Sequence, residues 1–518
     1  MLASSLDIVR VMLAQVQSAA LRGIDAFPVA VEVDVSFGLP VFAMVGLPDA
    51  SVRESRDRVR AAIRNSGFEF PAHRITVNLA PADVRKAGAA FDLPIAVAIL
   101  AASGLAPRHD PARVAIVGEL SLDGAVLPTR GVLPLAMGLR RQGVQALLLP
   151  AANAAEAAVV DGLAVVPIAS LADAVARLHE PDAVWPRARP PLPAAAPTGL
   201  AADLADVRGQ ASARRALEIA AAGGHHMLFV GPPGAGKTLL ARRMPGILPA
   251  LSFDEALEVT AIHSVAGLLG PAGGLLGERP FRAPHHTASD AALVGGGSVP
   301  RPGDITLAHH GVLFLDELPE FSRRALEALR QPLEEGTVRI ARASGTVAFP
   351  AAFTLVAAMN PCPCGYAGQA SRPCRCTPMA VSRYHERVSG PLRDRLDLTV
   401  ELSPVAFDTL TAATPAEPSA DVRRRVDAAR ALQRTRATDT GAVLNSRLAP
   451  GTLRRVAALD REGLRLLAAA ATRLALSGRA VHRTLRVART IADLDASPEI
   501  APPHLLEALQ FRAGTPAA

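Results

Sequence analysis

The chain of 518 residues is long enough for about three domains at roughly 150 residues each, so neither disulfides nor a metal is needed merely to make it fold. Half of its residues are apolar and 20% are charged, which excludes wholesale disorder. Against 48 acidic residues stand 55 basic ones, a net charge of +7 that admits a polyanionic partner without specifying one.

In chain order, the first 23 residues carry Asp7 and Arg10 where a secretion signal needs an uninterrupted apolar core. The longest apolar runs, such as 95–102, fall far short of the ~20 residues of a spanning helix. All four cysteines lie between Cys362 and Cys376, unlike the spread of a secreted disulfide framework. These features predict a cytoplasmic protein without membrane contact. Residues 11–178 alternate β-rich runs (PVAVEVDV, RITVNLA, RVAIVGEL, VQALLLP) with helical ones (SVRESRDRVRAAIRNSG, PIAVAILAASG), an α/β pattern that predicts a first domain over 1–183. The Pro/Ala-rich stretch 184–203 reads as a semi-rigid linker. Residues 204–402 alternate again, and 403–518 turn Ala/Leu/Arg-rich with helical spacing, predicting an all-helical end domain.

The strongest local signal is GPPGAGKT, which spans Gly231, Pro232, Pro233, Gly234, Ala235, Gly236, Lys237 and Thr238. It follows the apolar run MLFV and opens the helical LLARRM, the strand–loop–helix setting of a phosphate-binding loop. Glycines let backbone N–H groups close around phosphates, Lys237 reaches the β- and γ-phosphates of ATP, and Thr238 holds Mg²⁺. Lysine is otherwise used once, at Lys86, the remaining basic residues being arginines. Downstream, GVLFLDELPEF ends a buried run in Asp316 and Glu317, where the first carboxylate suits Mg²⁺ and the second suits orienting the attacking water. A cap for the next helix is the alternative reading of that pair. FTLVAAMN delivers Asn360, either a group beside the γ-phosphate or a turn residue.

These motifs, with the strings VEVDVSFGLPVFAMVGLPDASVRESRDRVRAAIRNSGFEFP, NLAPADVRKAGAAFDLPIAVAILAASG, RPFRAPHHTASDAALVGGG and SGRAVHRTLRVARTIADL, resemble the AAA+ ATPases. More narrowly, they resemble the magnesium-chelatase-like branch that includes bacterial competence proteins. The resemblance covers nearly the whole chain. It implies an N-terminal Lon-protease-like α/β domain, an AAA+ P-loop NTPase core with a parallel sheet, and a C-terminal helical lid. It makes Asn360 sensor 1, Arg395 an arginine finger supplied to a neighbouring subunit, and Arg479 sensor 2, with Arg483 as the alternative. A finger acting across subunits implies a ring, taken as a homo-hexamer. The function implied is a DNA helicase that binds single-stranded and branched DNA without sequence preference and drives branch migration in natural transformation. The alternative is a chelatase-type motor that remodels a metal-inserting partner.

VGELSLDGAVLPTRGVLPLA (117–136) resembles the Lon-type proteolytic domain, whose chemistry needs a Ser–Lys dyad. GVLPLA has no lysine, and Asp92 stands where the serine would fall, so proteolysis is not expected. ADVRKAG also lacks the proline usual before its lysine in this branch. Cys362, Cys364, Cys374 and Cys376 form two C-x-C pairs whose thiolates suit structural Zn²⁺, with free thiols or a disulfide as alternatives. The pairs His225-His226, His285-His286 and His309-His310 read as loop residues rather than metal ligands, because neighbours on a strand point to opposite faces. The basic segments RPFRAPHH and VRIARAS (338–344) are candidates for tracking phosphates, while aromatics at 3% give no stacking platform for bases.

Overall fold

The computed structural model describes residues 12–86, 88–180, 185, 202–270, 273–297, 300–342, 345–369, 372–411 and 416–513. The extreme N-terminus (1–11) and most of the predicted linker (184 and 186–201) lie outside the described residues.

Two-residue alternation builds the first sheet. Strands β1 (Leu13–Arg22) and β2 (Asp25–Ser36) pair antiparallel around the turn Gly23-Ile24. Val29, Val31, Val33 and Val35 of β2 all enter one core. Strands β3 (Phe42–Val45), β4 (Arg74–Ala80), β5 (Val114–Ile116), β6 (Ala146–Pro150) and β7 (Ala164–Ile168) complete the seven-stranded order β3-β4-β2-β1-β5-β6-β7. Four helices, α1 (Ala50–Asn65), α2 (Asp92–Ala102), α3 (Val132–Arg141) and α4 (Leu171–Leu178), cover it. Ile116, Leu148 and Val166 face α1, α2 and α4, whereas the intervening Val117, Leu147 and Val165 face α3. Every residue of α2 is buried, as the unbroken apolar sequence after Asp92 requires, because α1 and α4 close over the side turned away from the sheet. Strand β1 is absent from the sequence reading. Its inward positions, Ala14, Val16, Ser18 and Ala20, are small or polar, so the alternation is faint. Trp185 is buried in this same core.

The second sheet is wholly parallel. Helix α5 (Ala211–Gly223) precedes β8 (Met227–Val230), which runs through the phosphate-loop motif into α6 (Lys237–Ile247). Helix α7 (Phe253–Ala266) opens on a capping box between Ser252 and Glu255. Then come β9 (Phe281–Arg282), β10 (Val312–Leu315), the hairpin β11 (Thr337–Arg342) and β12 (Gly345–Pro350), β13 (Thr354–Met359), α8 (Pro378–Glu386) and β14 (Leu398–Glu401). The order is β9-β10-β13-β8-β14. Strands buried on both faces read as continuous apolar runs (MLFV, VLFL, TLVAAM), which is why they are visible in the sequence. Because β8 sits between β13 and β14, the crevice at its carboxyl end is the topological switch point of the sheet.

The C-terminal helices α9 (Ser419–Thr440), α10 (Arg461–Arg473), α11 (Gly478–Leu494) and α12 (Pro502–Ala513) do not form a core of their own. Val426, Leu467, Ile491 and Leu505 share one apolar cluster with Phe229, Phe314 and Val400 of the sheet. Among the described residues no helix is long and apolar enough to cross a membrane.

Candidate functional site

The loop between β8 and α6 needs its glycines. Gly234 and Gly236 sit at φ +79° and +90°, a region that side chains other than glycine rarely adopt, and Gly236 delivers the backbone directly into the first turn of α6. Lys237 curls back over this loop. Its Nζ donates to the carbonyl oxygens of Gly231 (2.5 Å) and Pro232 (2.9 Å) and to Oδ1 of Asn360 (2.8 Å). Burial lowers the ammonium pKa, opposed by the carboxylates of Asp316 and Glu317. Thr238 Oγ1 donates to Asp316 Oδ2 at 2.7 Å. Lys237, Thr238, Asp316 and Asn360 therefore converge from the ends of three adjacent parallel strands.

Glu317 is one of few non-glycine residues at positive φ (+52°), a strained conformation of the sort that functional sites retain. Its N–H donates to Asp316 Oδ1 (3.0 Å), and its side chain is 53% exposed, with Oε2 3.2 Å from His286 Nδ1. This His286 contact escaped sequence reasoning, because the two residues belong to different segments. Gln210 escaped it too. Its amide donates to the carbonyls of Ala235 in the phosphate loop and Ser403 beyond β14 (3.1 and 2.7 Å). The signal available was Gly-Gln immediately ahead of a helical run.

The three arginines of the sequence reading have distinct environments. Arg395, in the turn before β14, is buried; Nη1 donates to Pro391 O (2.6 Å) and Nη2 pairs with Glu334. Arg479 stands exposed near the start of α11. Arg483, one turn later, pairs with Asp397 Oδ1 at 3.0 Å. Asp397 also accepts from His225 Nδ1 (3.2 Å), whose Nε2 meets Thr490 Oγ1 (2.8 Å), so a buried polar chain joins β8, β14 and α11. Arg279 and Arg282 of RPFRAPHH are committed internally. Arg279 donates to carbonyls of Pro249 and His310 and pairs with Glu255, and Arg282 pairs with Asp304 at 2.6 Å. Both are held as internal braces by these partners.

The four cysteine sulfurs all lie within 4.8 Å of one another, with Cys362, Cys364 and Cys374 separated by 3.3 to 3.6 Å. A tetrahedral S₄ site with Zn–S bonds of about 2.3 Å needs sulfurs about 3.8 Å apart, so this set fits zinc. Backbone N–H groups of Ala367 and Cys376 point at Cys362 and Cys374, and N–H donors of Arg375 and Tyr366 pull the Cys364 thiol down to about 6, while burial and the neighbouring sulfurs push Cys374 up to about 12 and raise Cys376. The loop abuts the β8–α6 loop: a Cβ on Gly365, itself at φ +85°, would come 2.6 Å from Pro233. A cleft of about 690 Å³ lies there, lined in part by Gly231, Pro232, Pro361 and Gln369.

His309 and His310 lie in a turn, as the loop reading expects, and they point the same way, because His310 has φ +55°. Both Nε2 atoms reach Oε2 of Glu258 (2.9 and 2.8 Å). Since His309 Nδ1 accepts the Ala352 N–H (2.9 Å), its Nε2 must carry the proton, which disfavours metal at that atom. In the first domain, Asp92 is fully buried, bonded to Ser55 Oγ and to Arg58 (2.7 and 3.1 Å). The lone lysine there, Lys86, is buried and donates to Pro81 O, and burial pushes its pKa down.

Comparison with known proteins agrees with this geometry. The family described as "Magnesium chelatase, subunit ChlI" matches residues 203–410, "Subunit ChlI of Mg-chelatase" matches 31–153, and "Magnesium chelatase, subunit ChlI C-terminal" matches 416–512. The chain is 46% identical over 501 residues to the uncharacterised protein YifB of Escherichia coli, covering 96% of each. It is 45% identical over 507 residues to the competence protein ComM of Haemophilus influenzae, covering 97% of each. A Lon protease of Chloroflexus aurantiacus is 32% identical over 131 residues, which are 24% of this chain and 16% of that protein. With near-complete relatives at this identity and family matches over all three regions, the chain belongs to the magnesium-chelatase family of AAA+ proteins.

Proposed function

We propose that the protein is an ATP-driven ring motor, a homo-hexamer acting on DNA in the cytoplasm as a helicase that promotes branch migration during transformation or recombination. The observation that carries the motor is the convergence of Lys237, Thr238, Asp316 and Asn360 at the switch point of the parallel sheet. In this reading ATP with Mg²⁺ supplies the phosphoryl chemistry. Lys237 exchanges its carbonyl and Asn360 partners for phosphate oxygens. Thr238 and Asp316 hold the metal, and Glu317, released from His286, orients water. Arg395, freed from Glu334, reaches a neighbour's site, and Arg479 or Arg483 reports nucleotide to the lid. The cysteine set holds a structural Zn²⁺ that stiffens the loop behind the phosphates. The first domain has no Ser–Lys pair at the Asp92 position and acts as a non-proteolytic module.

DNA as the substrate is supported by the likeness to ComM over both full lengths. The second reading, a chelatase-type motor that remodels a metal-inserting partner, is supported by the description of the family models. ATPase rates measured with no DNA and with single-stranded, duplex and branched DNA separate the two. A helicase is stimulated by DNA, and a chelatase motor is indifferent to it and responds to a protein partner.

A further inference from the structure

Among the described residues, the first domain meets the motor at two places. At one, the Gly131 N–H donates to Ser264 O (3.2 Å), and the buried Glu156 accepts from Leu133 N (2.8 Å) and from Ser264 Oγ, tying the start of α3 to the end of α7. At the other, the β1–β2 turn is inserted against the β11–β12 hairpin. Ile24 and Val347 pack together on the motor's apolar core, and Arg22 Nη2 donates to Thr346 O at 3.1 Å. The turn comes so close that a Cβ on Gly23 (φ +71°) would lie 2.8 Å from Val347.

This second contact assembles arginines from three segments. The guanidinium of Arg22 lies beside Gly345, 3.6 Å from where its Cβ would be, and Gly345 is the ladder partner of Arg342. The guanidinium of Arg342 in turn lies over Gly296, 3.0 Å from its Cβ position, and Gly296 is the ladder partner of Arg301. All three arginines are exposed. Among the described residues none of them has a carboxylate partner: Arg22 and Arg342 bond only backbone carbonyls, and Asp25, across the turn from Arg22, forms no ion pair with it. Arg339, by contrast, is paired with Glu335 at 3.5 Å. Three guanidiniums left without acids along one strip repel one another, and a phosphate backbone relieves that repulsion while releasing its own counterions.

We infer that Arg22, Arg342 and Arg301 form one phosphate-binding strip, so that the N-terminal domain itself helps to hold DNA. The inference rests on the DNA-motor reading and adds where the phosphates lie. Its test is the salt dependence of binding to a fluorescent single strand and to a duplex, by the full chain and its variants. Each of Arg22→Gln, Arg342→Gln and Arg301→Gln should lower the slope of log Kobs against log salt by ~0.7 on single strands or ~0.9 on duplex, and the triple variant by roughly 2 to 3. Arg22→Lys should keep the slope, and Arg56→Gln on α1, an arginine already paired with Asp57, should not change it. ATPase without DNA should stay at the wild-type rate, since none of these residues touches the nucleotide site. Wild-type slopes in the Gln variants, with wild-type protein binding DNA, would overturn the strip alone. If the wild-type chain binds neither DNA at low salt, the strip and the DNA reading fall together.

Discussion

Asp397 is the sharpest place to test how the helical end is coupled to the sheet. Its carboxylate is 5% exposed and accepts from His225 (3.2 Å) and Arg483 (3.0 Å), so one side chain of the turn before β14 holds both β8 and α11. Removing one partner of a buried ion pair costs about 3–5 kcal/mol, and Arg483, at 18% exposure, can recruit some water, which puts Asp397→Ala near the lower end. Asp397→Asn keeps one acceptor and should cost about 2 kcal/mol. A double-mutant cycle with Arg483→Gln should return a coupling of about 1 kcal/mol or more. Hydrogen exchange is the suitable assay, because it reads opening of α11 separately from the rest. Protection of the 484–493 amides should fall by one to two orders of magnitude in Asp397→Asn, an effect of the ~1.4 kcal/mol per decade scale. Burial alone would raise the Asp397 carboxyl, but the His225 hydrogen bond and the Arg483 charge outweigh it and hold the group well below the usual carboxylate range. The contribution is then complete above the unfolded value of about 4 and is lost only as pH falls through the lower native value. Additive single effects, or unchanged protection of α11, would refute the coupling.

Other predictions follow from the same geometry. Lys237→Ala should weaken nucleotide binding, read by a fluorescent ATP analogue, whereas Glu317→Gln should bind normally and lose turnover. Purified protein should carry about one Zn²⁺ per chain by elemental analysis, and replacing Cys374 and Cys376 by Ser should lower thermal stability before it lowers nucleotide affinity. Burial lowers His226 to about 4, and its Nδ1 accepts the Leu355 N–H at 3.0 Å, so the native ring resists protonation. The unfolded ring titrates near 6.5, so this contribution is complete above about pH 6.5 and declines as pH falls toward 4, by roughly 3 kcal/mol in all. Denaturant titrations should show that slope in wild type and a flatter one in His226→Asn.

What was legible in the sequence was local. GPPGAGKT, the apolar run before Asp316 and the two C-x-C pairs each lie within fifteen residues, where spacing alone fixes which side chains can meet. The parallel strands announced themselves because both of their faces are buried. What was not legible depends on distant partners. His225 and Asp397 are 172 residues apart, and Thr490 lies further still, so no window contains the chain they form. His286 against Glu317 and Gln210 against Ala235 are side chains whose meaning comes from the neighbour across the crevice. The shared direction of the pair at 309–310, in the turn where loop residues belong, was hidden for a different reason. Alternation assumes extended backbone, and the positive φ of His310 turns both rings onto Glu258. In the basic segments, composition could not separate Arg279 and Arg282, which brace carbonyls and acids, from Arg342, which remains without an acid.

In the proposed function, ATP turnover at Lys237 and Glu317 drives strand exchange in branched DNA. The direct measurement is the conversion of labelled three- and four-way junctions by the assembled protein, with ATP and without. If turnover does so, exchange is ATP-dependent on junctions of unrelated sequence alike, declines steeply with salt, and is abolished in Lys237→Ala while some DNA binding remains. Junctions left intact by assembled, ATP-hydrolysing wild-type protein at low salt, with an ATPase rate indifferent to every form of DNA, would contradict it.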